Sequence, residues 1–504
     1  MHVRDAIVIG GGPAGSAAFA LLRVRGLDVV WIPGPARPHA ALALSLPPTC
    51  GPLFQRAGFG SLWDAPEPLR SGANRVHWAG ETRHEAFAPG MSARLCEAGD
   101  LERWMRRDAQ AADGTSSGRT TSAGRLLAGR AVTIEPGTEA SAVRVEAPGA
   151  SATHHARWVL DCTGRGGVSV RCGLAERTAG PAALAVSARW RVRDGSPEAA
   201  AADTVIESQS DGWGWSIPLP DGTRDVSFLV DPRHSALVRG DLEVLYAERL
   251  RAAPELGALL SGAERRSAAW ACEAGPYAVD PPARPGLLLV GDAASALDPL
   301  TSFGVKKALA SAWLATAVVE TALTEPDLLD AALLLHTTRE RAIPARLRSD
   351  TAGFATDAER VHAHPFWTAR ARAEEDGLLA ADPDVEGLRT DPEVLRAFAA
   401  LREPEHVGLT PGRVQTALRP TVVGTRVGLE ERLLTPRWPD GVRHLRGVDL
   451  LALARLARPD IEVPELWERY CRQEEPVILP DFLGALSVLV AEGVLRMVRS
   501  PSPS

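Results

Sequence analysis

Ala6-Ile7-Val8-Ile9-Gly10-Gly11-Gly12-Pro13-Ala14-Gly15-Ser16-Ala17-Ala18-Phe19-Ala20-Leu21-Leu22 decides the fold. An apolar run enters a glycine cluster and leaves as a segment of small and apolar residues. That order reads strand, tight turn, helix. Gly10, Gly12 and Gly15 keep the G-x-G-x-x-G spacing, with Pro13 and Ala14 between the last two. Such glycines permit the turn, let a diphosphate approach the backbone, and bring helix and strand close together. The helix N-terminus then offers free N–H groups and positive dipole charge to the phosphates. A second strand, Leu27–Ile32, follows on schedule. After it, a carboxylate is expected to hold the adenosine ribose hydroxyls. That place falls at Pro33, which has no acceptor side chain.

A chain of 504 residues predicts roughly three domain-sized units of about 150 residues each. The apolar share of 45% allows real cores, and a net charge of −7 argues against general nucleic-acid binding. Lys306 and Lys307 are the two lysines among 56 basic residues, so a mechanism needing a lysine elsewhere is excluded. Cys50, Cys96, Cys162, Cys172, Cys272 and Cys471 show no metal-like spacing, which predicts reduced cytoplasmic thiols and no metal. No signal peptide and no long apolar span are read, so neither export nor a membrane partner is expected.

Along the chain, Leu44–Cys50 carries Pro47-Pro48, which fixes an extended backbone that either lines a cofactor edge or simply turns the chain, before a helix through Leu53, Phe54 and Gly58. Strands are expected around Arg75–Trp78. Asp100–Ala109 reads as an amphipathic helix with an acidic start. Ala112–Gly124, rich in Gly, Ser and Thr, reads as a loop. Arg130–Val145 suits a hairpin, and His154–Leu160 a return strand ending in Asp161-Cys162-Thr163-Gly164-Arg165. Asp161 there either faces a ligand at the sheet's carboxyl edge or ties a turn with local hydrogen bonds. Next comes an antiparallel block: Ala183–Val192, Thr204–Ser208, Gly212–Pro218 and Asp225–Val230. Period two puts Trp213, Trp215 and Ile217 on one face, either walling a pocket or forming a core. Finally Leu287–Val290 runs into Gly291-Asp292 and onward to Asp298-Pro299-Leu300-Thr301-Ser302-Phe303-Gly304-Val305. Asp292 is placed to bind a polyol chain. Gly304 and Val305 open a long helix whose N–H groups suit negative charge.

These motifs together resemble the two-dinucleotide-binding-domain flavoproteins, the superfamily that holds aromatic hydroxylases and flavin-dependent halogenases. The resemblance covers roughly the first two-thirds of the chain. Within it, Trp213-x-Trp215-x-Ile217-Pro218 looks like the halogenase signature, and Asp298–Gly304 like the halogenase loop beside the flavin. It implies FAD as cofactor, with Gly10, Gly12, Pro13, Ala14 and Gly15 at the diphosphate. Asp161, Gly164, Gly291 and Asp292 would line the cofactor seat, Asp292 at the ribityl chain. Pro299, Gly304 and Val305 would line the isoalloxazine. Trp213, Trp215, Ile217, Pro218 and Phe303 would form the substrate pocket.

Three departures stand beside it. Halogenases carry an essential lysine between the first α/β unit and the substrate domain, and no lysine here precedes Lys306. Phe303 replaces the small polar residue before the loop glycine. Ala98 replaces an arginine common at the start of the helix. The reading is a halogenase relative that does not halogenate but hydroxylates an electron-rich aromatic, tryptophan in a peptide or protein being one candidate. Hydroxylation needs cofactor, oxygen and a dry pocket but no lysine. A halogenase with a displaced halide site is one alternative, and a non-catalytic FAD-fold binding protein another. No side chain is identified as general base. Reducing power comes from NAD(P)H directly or from a separate flavin reductase.

The expected architecture is α/β: a discontinuous Rossmann-like FAD-binding domain (1–180 and 268–345) with an inserted antiparallel substrate domain (181–267). A helical region (346–427) and a small winged-helix-like unit (428–504) follow. His362 and His364, two apart, read as surface residues. In the last unit, Val463, Leu466, Trp467 and Tyr470 fall at helical spacing, Pro480 opens a further helix and Gly493 stops it. The pattern is similar to peptide-chaperone domains that present leader peptides to tailoring enzymes. The alternative, which the pattern alone favours, is a plain structural cap or a dimer contact.

Overall fold

A computed structural model describes residues 2–35, 42–111, 124–192, 202–233, 241–372, 385–402 and 407–499. The Ala112–Gly124 loop falls outside these apart from Gly124 itself. The chain forms two compact units, Met1–Asp376 and Gly377–Ser504.

In the first unit a sheet runs in the order Ala283–Arg284, Leu287–Leu289, Ala150–Asp161, Val3–Ile9, Val29–Ile32, Arg125–Leu126. Its central pairs are parallel and in register, so that Ile9 lies beside both Asp161 and Ile32, and Asp161 beside Leu289. The near-continuous apolar strands are what a sheet covered on both faces requires. Because the strands end together, the glycine turn, the turn after Asp161 and Gly291-Asp292 meet at one carboxyl edge. Ligands of open α/β sheets bind at that edge.

The second sheet of this unit runs Glu264–Arg265, Leu184–Arg191, Thr223–Val230, Gly212–Pro218, Thr204–Gln209, Ala73–Trp78, Glu81–Ala86, with Trp270–Glu273 also on Leu184–Arg191. It therefore extends beyond the 181–267 of the sequence reading. Thr204–Gln209 pairs in parallel with Ala73–Trp78, from more than a hundred residues earlier. The boundary at 345 also moves. The Leu329–Val361 helix runs straight through it with Pro344 inside. Ala355, Ala358, Phe366 and Trp367 bury against Trp78, Trp213, Trp215 and Ile217. Burying those large apolar side chains, each worth about 1.5–3 kcal/mol, commits residues up to about 372 to the first unit.

The second unit has its own core, built on Leu450, Leu453, Leu466, Tyr470, Phe482, Leu486 and Leu489 from three helices, Leu450–Leu456, Val463–Gln473 and Leu479–Ala491. Leu388, Val394, Leu401 and Leu409 belong to the same core. Val407–Pro411 pairs with Leu495–Arg499, and Gln415–Val423 with Arg426–Leu434. Residues 385–427, read from sequence as part of a helical region, thus supply two short helices and two strands to this unit. Each strand finds its partner only at long range or across a turn, which helical periodicity does not reveal. Among the described residues no helix is long and apolar enough to cross a membrane.

Candidate functional site

The glycine turn separates into structural and accessible positions. Gly10 has φ +108°, and a Cβ there would lie 2.2 Å from the Cys162 carbonyl oxygen. A Cβ on Gly15 would lie 2.0 Å from the Gly10 oxygen. Both positions serve close backbone approach. Trp31 Nε1 donates to the Gly10 carbonyl at 2.8 Å, fixing the turn to the second strand. The Pro13–Val24 helix begins at Gly12 with no side-chain cap and no acidic residue in its first turn. Gly12, Pro13 and Ala14 line a cavity of about 330 Å³. Unpaired N–H groups at a helix start, opening into a cavity, are an anion seat.

The same cavity is lined by Gly164, Asp292, Pro299, Phe303, Gly304 and Val305, and on its far wall by Trp213, Trp215 and Ile217. Residues distant in sequence thus meet around one space. Asp161 does not face it. It is fully buried, and its carboxylate accepts from Thr163 N and Oγ1 at 3.0 and 2.6 Å and from Ser169 N and Oγ at 2.8 and 2.6 Å. With both oxygens engaged locally, Asp161 shapes the turn that presents Gly164 rather than touching a ligand. Gly291, φ +63°, is buried and is not among the residues that line the cavity. Its N–H donates to Ser311 Oγ at 2.9 Å and its carbonyl accepts from Lys307 Nζ at 2.7 Å. Pro218, at the end of its strand opposite Arg224, lies outside the cavity.

Lys307 also donates to the Ser295 carbonyl at 2.8 Å and lies 3.6 Å from Glu340, both side chains 1% exposed. It therefore clamps the Gly291–Ser295 turn that carries Asp292. Lys306 leaves the same helix turn in another direction and lies over the Phe303 ring, 4.4 Å from its centroid. Neither lysine lines the cavity.

The loop before the Gly304–Thr324 helix is held by Asp298, whose Oδ1 accepts from Leu300 N at 3.0 Å. Burial pushes the Asp298 carboxyl above its ordinary range, opposed by Arg370 at 3.7 Å. Ser302 turns the chain at φ +51°, and the helix starts at Phe303 without a side-chain cap. A Cβ on Gly304 would meet nothing within 4 Å. The two indoles of the wall are tilted, 4.6 Å between centroids, and both are buried. They are core and pocket wall at once, because Trp78 and Trp367 pack behind them.

Of the segment that sequence left open between a cofactor edge and a plain turn, Leu44, Ser45 and Leu46 line the cavity, whereas Glu102, Arg165 and Cys272 are lining residues that sequence reasoning missed. Glu102 was within reach of it, one helical turn from Ala98 on the same face. His362 and His364 lie on either side of a helix break, where His364 Nδ1 accepts from Phe366 N at 3.1 Å as a cap.

No protein-family model matches the chain. The curated proteins it matches include several halogenases, and the chain spans about three-fifths of their length. A tryptophan 2-halogenase from Chondromyces crocatus is 28% identical over 329 residues, 62% of this chain and 60% of that protein. Among solved structures, the flavin-dependent halogenase CmlS covers 99% of this chain and 97% of its own, with a TM-score of 0.75 at 19% identity. A peptidyl tryptophan dihydroxylase, QhpG, essential for tryptophylquinone cofactor biogenesis, covers 98% of this chain and 100% of its own, with a TM-score of 0.68 at 21% identity. Homologues of this chain are thus flavin-dependent halogenases, and it shares its fold with both halogenases and hydroxylases.

Proposed function

We propose that this chain is an FAD-dependent monooxygenase that hydroxylates an electron-rich aromatic, with tryptophan in a peptide or protein as the candidate substrate. The residues fit the cofactor. Two uncapped helix starts open on one cavity, Asp292 stands between them, and the space above Gly304 is free. The N–H groups after Gly12 would hold the diphosphate, and Asp292 would accept from ribityl hydroxyls. Pro299, Gly304 and Val305 would border the isoalloxazine, whose reduced form is anionic at the edge a helix N-terminus favours. FAD, reduced and met by oxygen, supplies the oxidising equivalent. The chain's own part is to bind, orient and keep water out. Trp213, Trp215 and Ile217 offer an apolar wall on which a planar ring can stack.

One observation favours oxygen over halogen transfer. Lys307 is locked beneath the Gly291–Ser295 turn and Lys306 lies on Phe303, so no ammonium group reaches the cavity to activate a halogen species. Phe303 also fills the position beside the loop glycine. The test is mass spectrometry of the product formed with reduced FAD, oxygen, a tryptophan-containing peptide and either chloride or bromide. Gain of oxygen with no halogen isotope pattern is expected. Halogenated product would overturn this reading in favour of a displaced halide site, and a protein that takes up no FAD would favour a non-catalytic binding role. Electrons arrive from NAD(P)H or a partner reductase. The Gly377–Ser504 unit we read as winged-helix-like and as a docking module for the substrate's peptide. QhpG, a peptidyl tryptophan dihydroxylase, matches the chain over nearly its whole length, which favours that reading.

A further inference from the structure

The seat described above lacks two contacts. Pro33 directly follows the second strand, where a ribose-binding carboxylate is expected, and Ala98 opens the Ala98–Ala111 helix where a cation is expected. The second gap lies at the start of that helix. Residues 98, 102 and 106 fall on one of its faces, and Ala98, Leu101 and Glu102 line the cavity beside Gly12 and Pro13. Two turns past Ala98, Arg106 reaches the glycine turn, its Nε donating to the Gly11 carbonyl at 2.7 Å. Its guanidinium covers Gly11 so closely that a Cβ there would lie 2.3 Å from Nη2. Arg106 Nη2 stands 3.8 Å from Glu102 Oε2, with the two side chains 23% and 15% exposed. As the fifth residue of the helix, Glu102 lies beyond the N-terminal residues whose N–H groups a side chain would cap.

We propose that Glu102, held in place by Arg106, accepts the hydrogen bonds of the adenosine ribose hydroxyls of FAD, the task for which Pro33 has no side chain. The inference rests on the FAD reading of the site. A carboxylate is acceptor-only, with two oxygens to match the two donors of a ribose diol. Charge-assisted bonds of this kind are about twice as strong as neutral ones. The difficulty is repulsion between Glu102 and the neighbouring diphosphate. Arg106 answers it, since a guanidinium between glycine turn and carboxylate offsets the negative charge and fixes the carboxylate's orientation. The acid has thus moved from the end of a strand to the face of a helix, and its arginine partner ties that helix to the glycine turn.

The test is a two-by-two binding cycle. Apo wild type and Glu102→Ala are titrated with FAD and with an FAD analogue lacking both adenosine ribose hydroxyls, following flavin fluorescence. Wild type should bind the analogue about 10–100-fold more weakly than FAD, as expected for lost bonds to a charged group. E102A should bind the two equally, near the wild-type affinity for the analogue. Glu102→Gln, which keeps shape and one acceptor, should fall between and serves if E102A does not fold. An E102A protein that discriminates between the ligands as wild type does overturns the proposal while leaving FAD binding intact. A wild type that binds neither ligand overturns the FAD reading and this proposal with it.

Discussion

At the scale of single residues, Gly12 has φ −79° and ψ −172°, backbone that any L-residue adopts. Gly10 and Gly15 instead have no room for a Cβ. On the proposed FAD reading, Gly12, which lines the cavity, is the member of the motif whose missing side chain would serve the ligand, while Gly10 and Gly15 serve the fold. Gly12→Val should leave a folded protein that no longer takes up FAD, because the branched side chain would fill the diphosphate seat. Asp292→Ala should also fold, and should weaken FAD by about 1.5–3 kcal/mol, the worth of a bond to a charged group. Titration of both variants with FAD, alongside circular dichroism, checks this. Undiminished flavin affinity in a folded Gly12→Val protein would remove the assignment. Asp161 belongs to the opposite class. Its two possible roles share one sequence pattern, and Ser169, eight residues on, engages the second oxygen.

At the scale of elements, the Asp292 turn rests on a buried ionic clamp. Lys307 of the Gly304–Thr324 helix bonds two carbonyls of the turn and pairs with Glu340 of the Leu329–Val361 helix. On that second helix His336 bonds the Leu289 carbonyl through Nε2 at 3.0 Å, and burial lowers its pKa, opposed by Glu340. Removing one partner of a buried pair leaves an uncompensated charge and costs about 3–5 kcal/mol, whereas replacing both by apolar groups of similar volume is often near neutral. Lys307→Met should thus destabilise the first unit by about that amount and loosen FAD. Lys307→Met with Glu340→Leu should recover most of the stability but not all of the affinity, since the turn's carbonyls stay without donors. Denaturant melts and FAD titrations of the single and double variants decide it. A single variant as stable as wild type would show the clamp to be dispensable. The strand–turn–helix units and their meeting at one edge were legible in sequence because each is coded locally, by apolar runs and glycine spacing. The clamp was not, because Glu340 lies 33 residues from Lys307 and only helix packing joins them. The Ala73–Ala86 hairpin joined the second sheet for a similar reason: register with Thr204–Gln209 is long-range, and period-two patterning does not say which strand pairs with which.

At the scale of the whole molecule, the two units make different demands on where the chain can be cut. Sequence patterning places the last unit from Gly428, but the structure places it from Gly377. A chain ending at 427 would keep Val407–Pro411 while losing its partner Leu495–Arg499, and keep Gln415–Val423 while losing nearly all of Arg426–Leu434. It would also strand Leu388, Val394 and Leu409 without the helices that bury them. Unpaired strands and uncovered apolar side chains favour aggregation. A chain ending at 376 removes that core entire and leaves in place the glycine turn, Asp292, the Lys307 clamp and the tryptophan wall. The expected outcome is that residues 1–427 precipitate or expose apolar surface, while residues 1–376 remain dispersed and load FAD. If the removed unit docks the peptide, the 1–376 protein should still reduce and reoxidise its flavin. It should lose turnover on a peptide mainly through a raised KM, because docking raises the local substrate concentration without touching the chemical step. Free tryptophan or another small aromatic should then be handled alike by both lengths. Side-by-side flavin content and turnover of the full chain and of 1–376 provide the measurement. An FAD-loaded 1–376 protein whose kcat and KM on the peptide match the full chain would end the docking role, and one that cannot hold FAD would make the last unit a structural cap.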